Sequence, residues 1–209
     1  MNTKYMKATG LVMLMSLGLS ACAPVMLAGF AGTAMVASDR RTSGTQLEDE
    51  TIELRGSARI RDALGERAHV NITSYNRQVL LSGEVATERD KQIVEGLLEK
   101  LENVKSVVNE LSIMQPTSLS SRSNDLLLSA KVKAALVDSR DLFANAFKVV
   151  VERGTVYVMG RVTQREATSA TNVIRNVNGV NKVVRLFEII SEEELRNLLP
   201  PPPADKAQK

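Results

Sequence analysis

The sequence predicts an α+β protein built from two tandem small domains. Each is ordered α-β-β-α-β, with its helices packed on one face of a small three-stranded sheet. Three observations predict this. The chain repeats itself: "SARIRDAL" (57–64) is matched by "SAKVKAAL" (129–136), "VLLSGEV" (79–85) by "VYVMGRV" (156–162), and "NVKSVVNELSI" (103–113) by "GVNKVVRLFEI" (179–189). Within each copy the apolar period changes from that of a helix to that of a strand and back. Aromatic residues make up only 3% of 209 residues, with no Trp, so the core must be aliphatic and assembled from small elements.

The first copy is placed at 47–114 and the second at 124–190. In the first, Ile52, Gly56, Ile60 and Leu64 recur every fourth residue and share one helical face. In the second, Leu128, Val132, Ala135 and Leu136 likewise share one face. The next block alternates, Val79-Leu81-Gly83-Val85 and Val156-Val158-Gly160-Val162, as in a half-buried strand. Gly83 and Gly160 occupy the same place in it, which predicts a bulge or the close approach of a helix backbone. A shorter strand precedes each, "HVNITSY" (69–75) and "FKVVVE" (147–152). The turns Asn76-Arg77 and Arg153-Gly154 make hairpins of the pairs. Thr87 with Asp90, and Thr163 with Glu166, open the second helices as capping boxes. Their inner stripes are Val94, Leu97 and Leu101, and Ala170, Ile174 and Val177. A third strand, 104–113 and 180–190, completes each unit. Residues 115–123 read as a linker. Beyond 190, Ser191 with Glu194 starts a short helix, and "PPPP" (200–203) stiffens a tail expected to be disordered to 209.

The N-terminus carries a different kind of signal. Lys4 and Lys7 precede the apolar run "LVMLMSLGL", too short to span a bilayer permanently, so residues 1–21 read as a signal peptide. The sequence Leu19-Ser20-Ala21-Cys22 resembles the lipobox of bacterial lipoproteins, in which the cysteine thiol receives diacylglycerol. Cys22 is the chain's single cysteine and cannot form an intramolecular disulfide, which fits an anchoring role. The lipoprotein resemblance implies outer-membrane sorting, because Ala23 stands where an inner-membrane retention signal has Asp. Residues 22–46 are then the anchor and a membrane-proximal linker, with "DRRTSGTQ" (39–46) expected to be flexible.

The element order, the strand ending in Gly and the "V..V.N.L" strand after the second helix resemble the BON domain. Two such domains behind a lipobox resemble the dual-BON outer-membrane lipoproteins associated with division-site localisation and envelope stress. "GTQLEDETIELR", "VNITSYNRQVLLSGEV", "SND" and "VTQREA" carry the resemblance, which covers roughly residues 19–190. It implies a non-enzymatic, lipid-anchored protein facing the periplasm that binds phospholipid and supports outer-membrane integrity. In that subfamily the first helix of the second domain docks on anionic phospholipid, led by an aromatic residue. Leu127 occupies the matching position here.

The residues themselves bear on the same question. Net charge is +3, and loss of Lys4 and Lys7 with the leader would leave +1, which argues against nucleic acid as a partner. No catalytic constellation, metal-ligand spacing or phosphate loop is present in the sequence, so no enzyme, metal or cofactor is expected. His69, the single histidine, reads as a solvent-facing strand residue. In "NDLLLSAKVKAALV" (124–137), Leu126, Ala130 and Val137 point away from the face to be buried, with Leu127 and Ala134 beside them. Lys133 edges this outer stripe on one side and Lys131 on the other. An apolar stripe edged by lysines fits an interfacial helix that dips into the acyl boundary while its amines reach phosphates. The alternative is packing against the first domain or another subunit. In the first copy the places of Leu126, Leu127, Ala130 and Ala134 are assigned to Leu54, Arg55, Ala58 and Asp62. Three functions therefore stand: a phospholipid-binding module on an anionic membrane, an adaptor recruiting envelope assembly or division proteins, or a periplasmic enzyme accessory that binds cell wall.

Overall fold

The computed structural model describes residues 39–65 and 68–198. The leader, Cys22 and the tail from 199 onward lie outside the described residues. The first unit comprises α1 (Ser43–Leu64), β1 (His69–Tyr75), β2 (Gln78–Val85), α2 (Glu88–Glu99), β3 (Ser106–Asn109) and β4 (Ser112–Ile113). The second comprises α3 (Leu119–Asp138), a 3-10 turn (Ala144–Ala146), β5 (Lys148–Glu152), β6 (Thr155–Thr163), α4 (Gln164–Arg175) and β7 (Lys182–Ile190), with α5 (Glu192–Leu198) after it. In both units the second strand is central, antiparallel to the first and parallel to the third.

Both first helices begin earlier than the sequence suggests. The Thr42 hydroxyl accepts the Thr45 N–H at 3.1 Å and starts α1. Ser118 caps α3 in the same way through the Ser121 N–H, at 3.2 Å. The linkers expected at 39–46 and 115–123 are thus partly helical. Their Ser- and Thr-rich composition reads as linker, yet it supplies the caps. The Thr163–Glu166 capping box is complete in both directions, and the Ser191 hydroxyl accepts the Glu194 N–H at 3.0 Å.

The hairpin turns fall where the sequence places them. Asn76 and Arg77 (φ 51° and 67°), and Arg153 and Gly154 (φ 49° and 72°), are left-handed, as tight hairpin turns demand. In each domain an aspartate on the first helix holds the turn. Asp49 accepts the N–H groups of Asn76 and Arg77, both at 2.8 Å, and Asp125 accepts those of Arg153 and Gly154 at 2.8 and 2.9 Å. This shared role aligns α1 with α3 at Asp49 and Asp125, so that Ile52, Gly56 and Ile60 correspond to Leu128, Val132 and Leu136. All six are buried. The sequence match through "SARIRDAL" and "SAKVKAAL" is therefore one helical turn out of register. A pattern repeating every four residues maps onto itself after a slip of four, and only the clamp fixes the phase.

The central strands are buried on both faces, where the sequence suggested one. Val79, Leu81 and Val85 face α1 and α2, and Val156, Val158 and Val162 face α3 and α4. The opposite faces pack the two domains back to back through Tyr75, Leu80, Tyr157 and Met159, flanked by Val108, Val150, Val184 and Leu186. Full burial of such apolar side chains contributes about 1.5–3 kcal/mol each. Charged pairs cross the same contact. Arg153 meets the fully buried Glu84 at 2.8 Å, and Lys148 meets Glu53 at 2.8 Å. His69 does not simply face solvent: its Nδ1 lies 2.9 Å from Glu84. Burial alone would raise the Glu84 pKa, but bonds from His69, the Thr117 backbone and Arg153 bring it below the usual value.

Gly83 is required by the main chain of β1, and Gly160 by that of the 3-10 turn. A Cβ on Gly83 would stand 2.1 Å from the His69 carbonyl oxygen, and on Gly160 it would stand 2.5 Å from that of Ala146. Gly83 also has φ +110°. The third strand of the first domain is broken between β3 and β4. There the Asn109 side chain accepts the Leu111 N–H at 3.2 Å and donates to the Lys91 carbonyl at 3.2 Å, letting Leu111 turn into the core.

Residues 39–41 form a strap across both domains. The buried Arg40 guanidinium makes a bidentate pair with the buried Glu166 carboxylate at the start of α4, both bonds 2.7 Å, and donates to the Arg161 carbonyl at 2.8 Å. Arg41 bonds Asp49 at 2.8 Å and lies 4.3 Å over the Tyr75 ring. Burial alone would raise the Glu166 pKa, but the bonds from Arg40 and the Thr163 N–H hold it below the usual carboxylate range.

Candidate functional site

The α3 helix runs 20 residues and turns one face to the core through Leu128, Val132 and Leu136. At about 100° per residue this leaves Leu126, Ala130 and Val137 pointing outward, with Leu127 and Ala134 beside them. All five are exposed; Leu126 is 72%, Leu127 62% and Val137 68% accessible. The stripe does not pack against the first domain, because that contact is made by the backs of the sheets. The early start of α3 adds Leu119, seven residues before Leu126 and 80% accessible. From Leu119 to Val137 the stripe extends about 27 Å along the helix. Leu119 sits in a Ser-rich polar stretch that reads as linker, and the local signal that puts it on α3 is the Ser118 cap.

Lys131 and Lys133 edge the stripe, both exposed, and neither makes an ion pair with any described residue. Beside Leu127 and Lys131 a groove of about 460 Å³ runs between α3 and the loop at Asn178–Gly179. Asp125 also lines it, but both its carboxylate oxygens are engaged by the Arg153–Gly154 turn.

With Asp49 aligned to Asp125, the places of Leu126, Leu127, Ala130, Lys131, Lys133 and Ala134 are held in α1 by Glu50, Thr51, Leu54, Arg55, Ser57 and Ala58. The earlier pairing with Leu54, Arg55, Ala58 and Asp62 is corrected by one turn. The contrast remains: α1 carries polar groups where α3 carries its two leading leucines. Cys22 lies outside the described residues. Gly83 and Gly160 lie in the central strands, away from the stripe, and serve the sheets.

Among the described residues no group of three or more His, Cys, Asp or Glu side chains could hold a metal ion, and no helix is long and apolar enough to cross a membrane. The chain is 32% identical over 192 residues to "Outer membrane lipoprotein DolP" of Haemophilus influenzae, covering 91% of this chain and 100% of that one. It is also 32% identical over 154 residues to "21 kDa hemolysin" of Actinobacillus pleuropneumoniae, covering 73% and 79%. A solved structure of CdsD, a structural protein of the Chlamydia trachomatis type III secretion system, covers 69% of this chain and 96% of its own at 14% identity and a TM-score of 0.30, too remote to bear on the argument. The likeness to the Haemophilus protein supports an outer-membrane lipoprotein. The BON domain matches residues 49–115 and again 124–191, and the chain belongs to the BON family.

Proposed function

We propose that this chain is a non-enzymatic, lipid-anchored protein facing the periplasm that docks on anionic phospholipid through α3 and so helps maintain the outer membrane. The observation that carries this reading is the exposed stripe of Leu126, Leu127, Ala130 and Ala134 between Lys131 and Lys133. Each leucine would contribute at most about 1.5–3 kcal/mol on full burial. Each lysine near an anionic surface adds about 1 kcal/mol, less as salt rises. Such sums give weak, reversible docking, which becomes effective when acylated Cys22 already holds the domain near the bilayer.

Vesicle binding of residues 22–209 carrying Cys22→Ser, and therefore unacylated, tests the reading. Leu127→Glu abolishes binding to anionic vesicles without lowering the melting temperature, because the side chain is mostly exposed. Leu127→Trp strengthens binding, since an indole suits the headgroup interface. Arg55→Glu on α1 changes little. A sharp drop in melting temperature for Leu127→Glu, with no binding by the parent protein, makes the stripe a packing surface. The second reading, an adaptor for envelope assembly or division proteins, then leads. Leu47 and Leu54 favour that reading: they lie seven residues apart on α1, 65% and 73% accessible, with Glu48 and Glu50 close by instead of lysines.

A further inference from the structure

The second domain is polarised along its strands. β6 and β7 run parallel from Thr155 and Lys182 at one end to Thr163 and Ile190 at the other. The far end gathers carboxylates, each matched by arginine: Glu166 by Arg40, and Glu188 and Glu194 by Arg161. At the near end lie the first turns of α3, the hairpin turn at 153–154, the last turn of α4 and the start of β7. Here a second groove of about 480 Å³ opens between α4 and the edge strand β7. Arg175, Lys182 and Arg185 line it with Thr171 and Asn181, and no carboxylate does. None of the three cations makes an ion pair with a described residue. The loop at 178–181 is a shared wall, with Asn178 and Gly179 bordering the α3 groove and Val180 and Asn181 bordering this one.

We propose that the Arg175–Lys182–Arg185 groove is a second anionic-headgroup site, which receives phospholipid phosphates when α3 enters the membrane surface by its first turns, at Leu119, Leu126 and Leu127. The inference rests on the α3 reading and adds an orientation to it: the near end of the second domain faces the bilayer. Charge selects the occupant, because three unpaired cations in one concavity with two neutral hydrogen-bonding side chains match phosphodiesters. Continuity with the lysine edge of α3 selects a membrane surface over a soluble anion. The strap fixes the start of the described chain at the far end, about 30 Å away along the nine-residue strands. Cys22 lies 17 residues before Asp39, and a chain of that length reaches up to about 60 Å, so an anchor at Cys22 permits this orientation.

The test compares residues 22–209 carrying Cys22→Ser, on phosphatidylglycerol/phosphatidylethanolamine vesicles and on phosphatidylethanolamine vesicles, across a salt series. Each cation near an anionic surface is worth roughly fivefold in affinity at low salt. The triple variant Arg175→Gln, Lys182→Gln, Arg185→Gln therefore weakens binding to the anionic vesicles by tens of fold or more and flattens its salt dependence, at an unchanged melting temperature. Removing three charges from α1 instead (Arg55→Gln, Arg59→Gln, Arg61→Gln) leaves affinity within about twofold, because that face is not in contact. If the groove variant keeps wild-type affinity and salt slope while Leu127→Glu loses binding, the groove inference is overturned and the α3 reading stands. If Leu127→Glu binds normally and the groove variant does not, the α3 reading fails and the groove is the contact. Equal weakening by the α1 control would reduce the effect to net charge and overturn the site. So would saturable binding of inorganic phosphate that displaces no vesicles.

Discussion

The two BON domains agree inside and disagree outside. Their cores superimpose in role: Asp49 and Asp125 hold the hairpin turns, and Ile52, Gly56 and Ile60 answer Leu128, Val132 and Leu136. Their first helices part company on the solvent side, where Glu50 and Thr51 of α1 stand opposite Leu126 and Leu127 of α3. The third strands differ too: β7 is continuous over nine residues, while Asn109 breaks its counterpart. In a duplicated domain the buried positions are constrained by the packing they share, so a difference on an exposed face cannot be assigned to folding. An apolar stripe kept in solvent costs solubility and contributes nothing to the fold, which is why the longer, lysine-edged stripe of α3 is the first place to look for a function.

The sharpest way to break the comparison lies in the paired glycines. They occupy equivalent strand positions for unequal reasons. At Gly83 a methyl group would meet a main-chain oxygen at 2.1 Å and also face a φ of +110°. At Gly160 the clash is at 2.5 Å and φ is not in the left-handed region. Gly83→Ala is expected to destabilise by about 3–5 kcal/mol, as overpacking and backbone strain add. Gly160→Ala should cost about 1–3 kcal/mol, from overpacking alone. Denaturant melts of the two variants measure the difference; equal losses would show that the left-handed backbone at Gly83 costs nothing.

The strap tests whether the domains depend on each other. Arg40→Ala leaves the Glu166 carboxylate buried without its partner, which typically costs about 3–5 kcal/mol. The sign with pH follows from the depressed Glu166 pKa. Its contribution is fully present above the ordinary glutamate value of about 4.3 and is lost as pH falls through the lower folded value. The gap in melting temperature between wild type and Arg40→Ala should therefore be widest near neutrality and narrow below about pH 4. A gap that stays constant into acid would mean that the pair does not hold the domains. Glu152, whose pKa is raised by burial and then by Glu84, titrates with the opposite sign and cannot produce the same narrowing.

The sequence shows the strap as three charged residues among polar ones, with no period and no near neighbour to pair with. Arg40 finds Glu166 only across 126 positions, and no local pattern encodes that distance. The second buried face of each sheet was hidden for a related reason. Leu80, Tyr157 and Met159 fill the alternate positions of the central strands, so "VLL" and "VYVM" are continuous apolar runs. Such runs mark strands covered on both sides. What was local was legible: the hairpin turns, the Thr163–Glu166 cap, and the outer stripe of α3 all depend on residues within a few positions of one another. The register of α1 against α3 was not legible, because a repeat of four residues is blind to a shift of one turn.

The smallest effect concerns the turns, where the domains solve one problem with different residues. The first domain places Asn76 and Arg77 in left-handed conformations; the second places Arg153 and Gly154 there. Asparagine tolerates that region, but an arginine at φ 67° carries a strain of about 1–2 kcal/mol that glycine avoids. Arg77→Gly removes that strain. It also loses the 2.6 Å pair between Arg77 and Glu48, which at a partly exposed site is worth about 0–1 kcal/mol. Glycine's larger loss of chain entropy takes a further ~0.5–1 kcal/mol. The variant should therefore fall within about 1 kcal/mol of wild type, because the Asp49 clamp on the main-chain N–H groups survives it. The reciprocal change does not balance. A Cβ on Gly154 would stand 2.4 Å from the Asn181 side-chain nitrogen, so Gly154→Arg takes on the left-handed strain at φ 72° and must also displace the Asn181 side chain that borders the second groove. Melts of the two single variants separate a turn that is only strained from one that is also packed: near-neutrality at Arg77 and clear destabilisation at Gly154 is the expected pair. Equal costs at both sites would mean that the Asn181 side chain gives way freely.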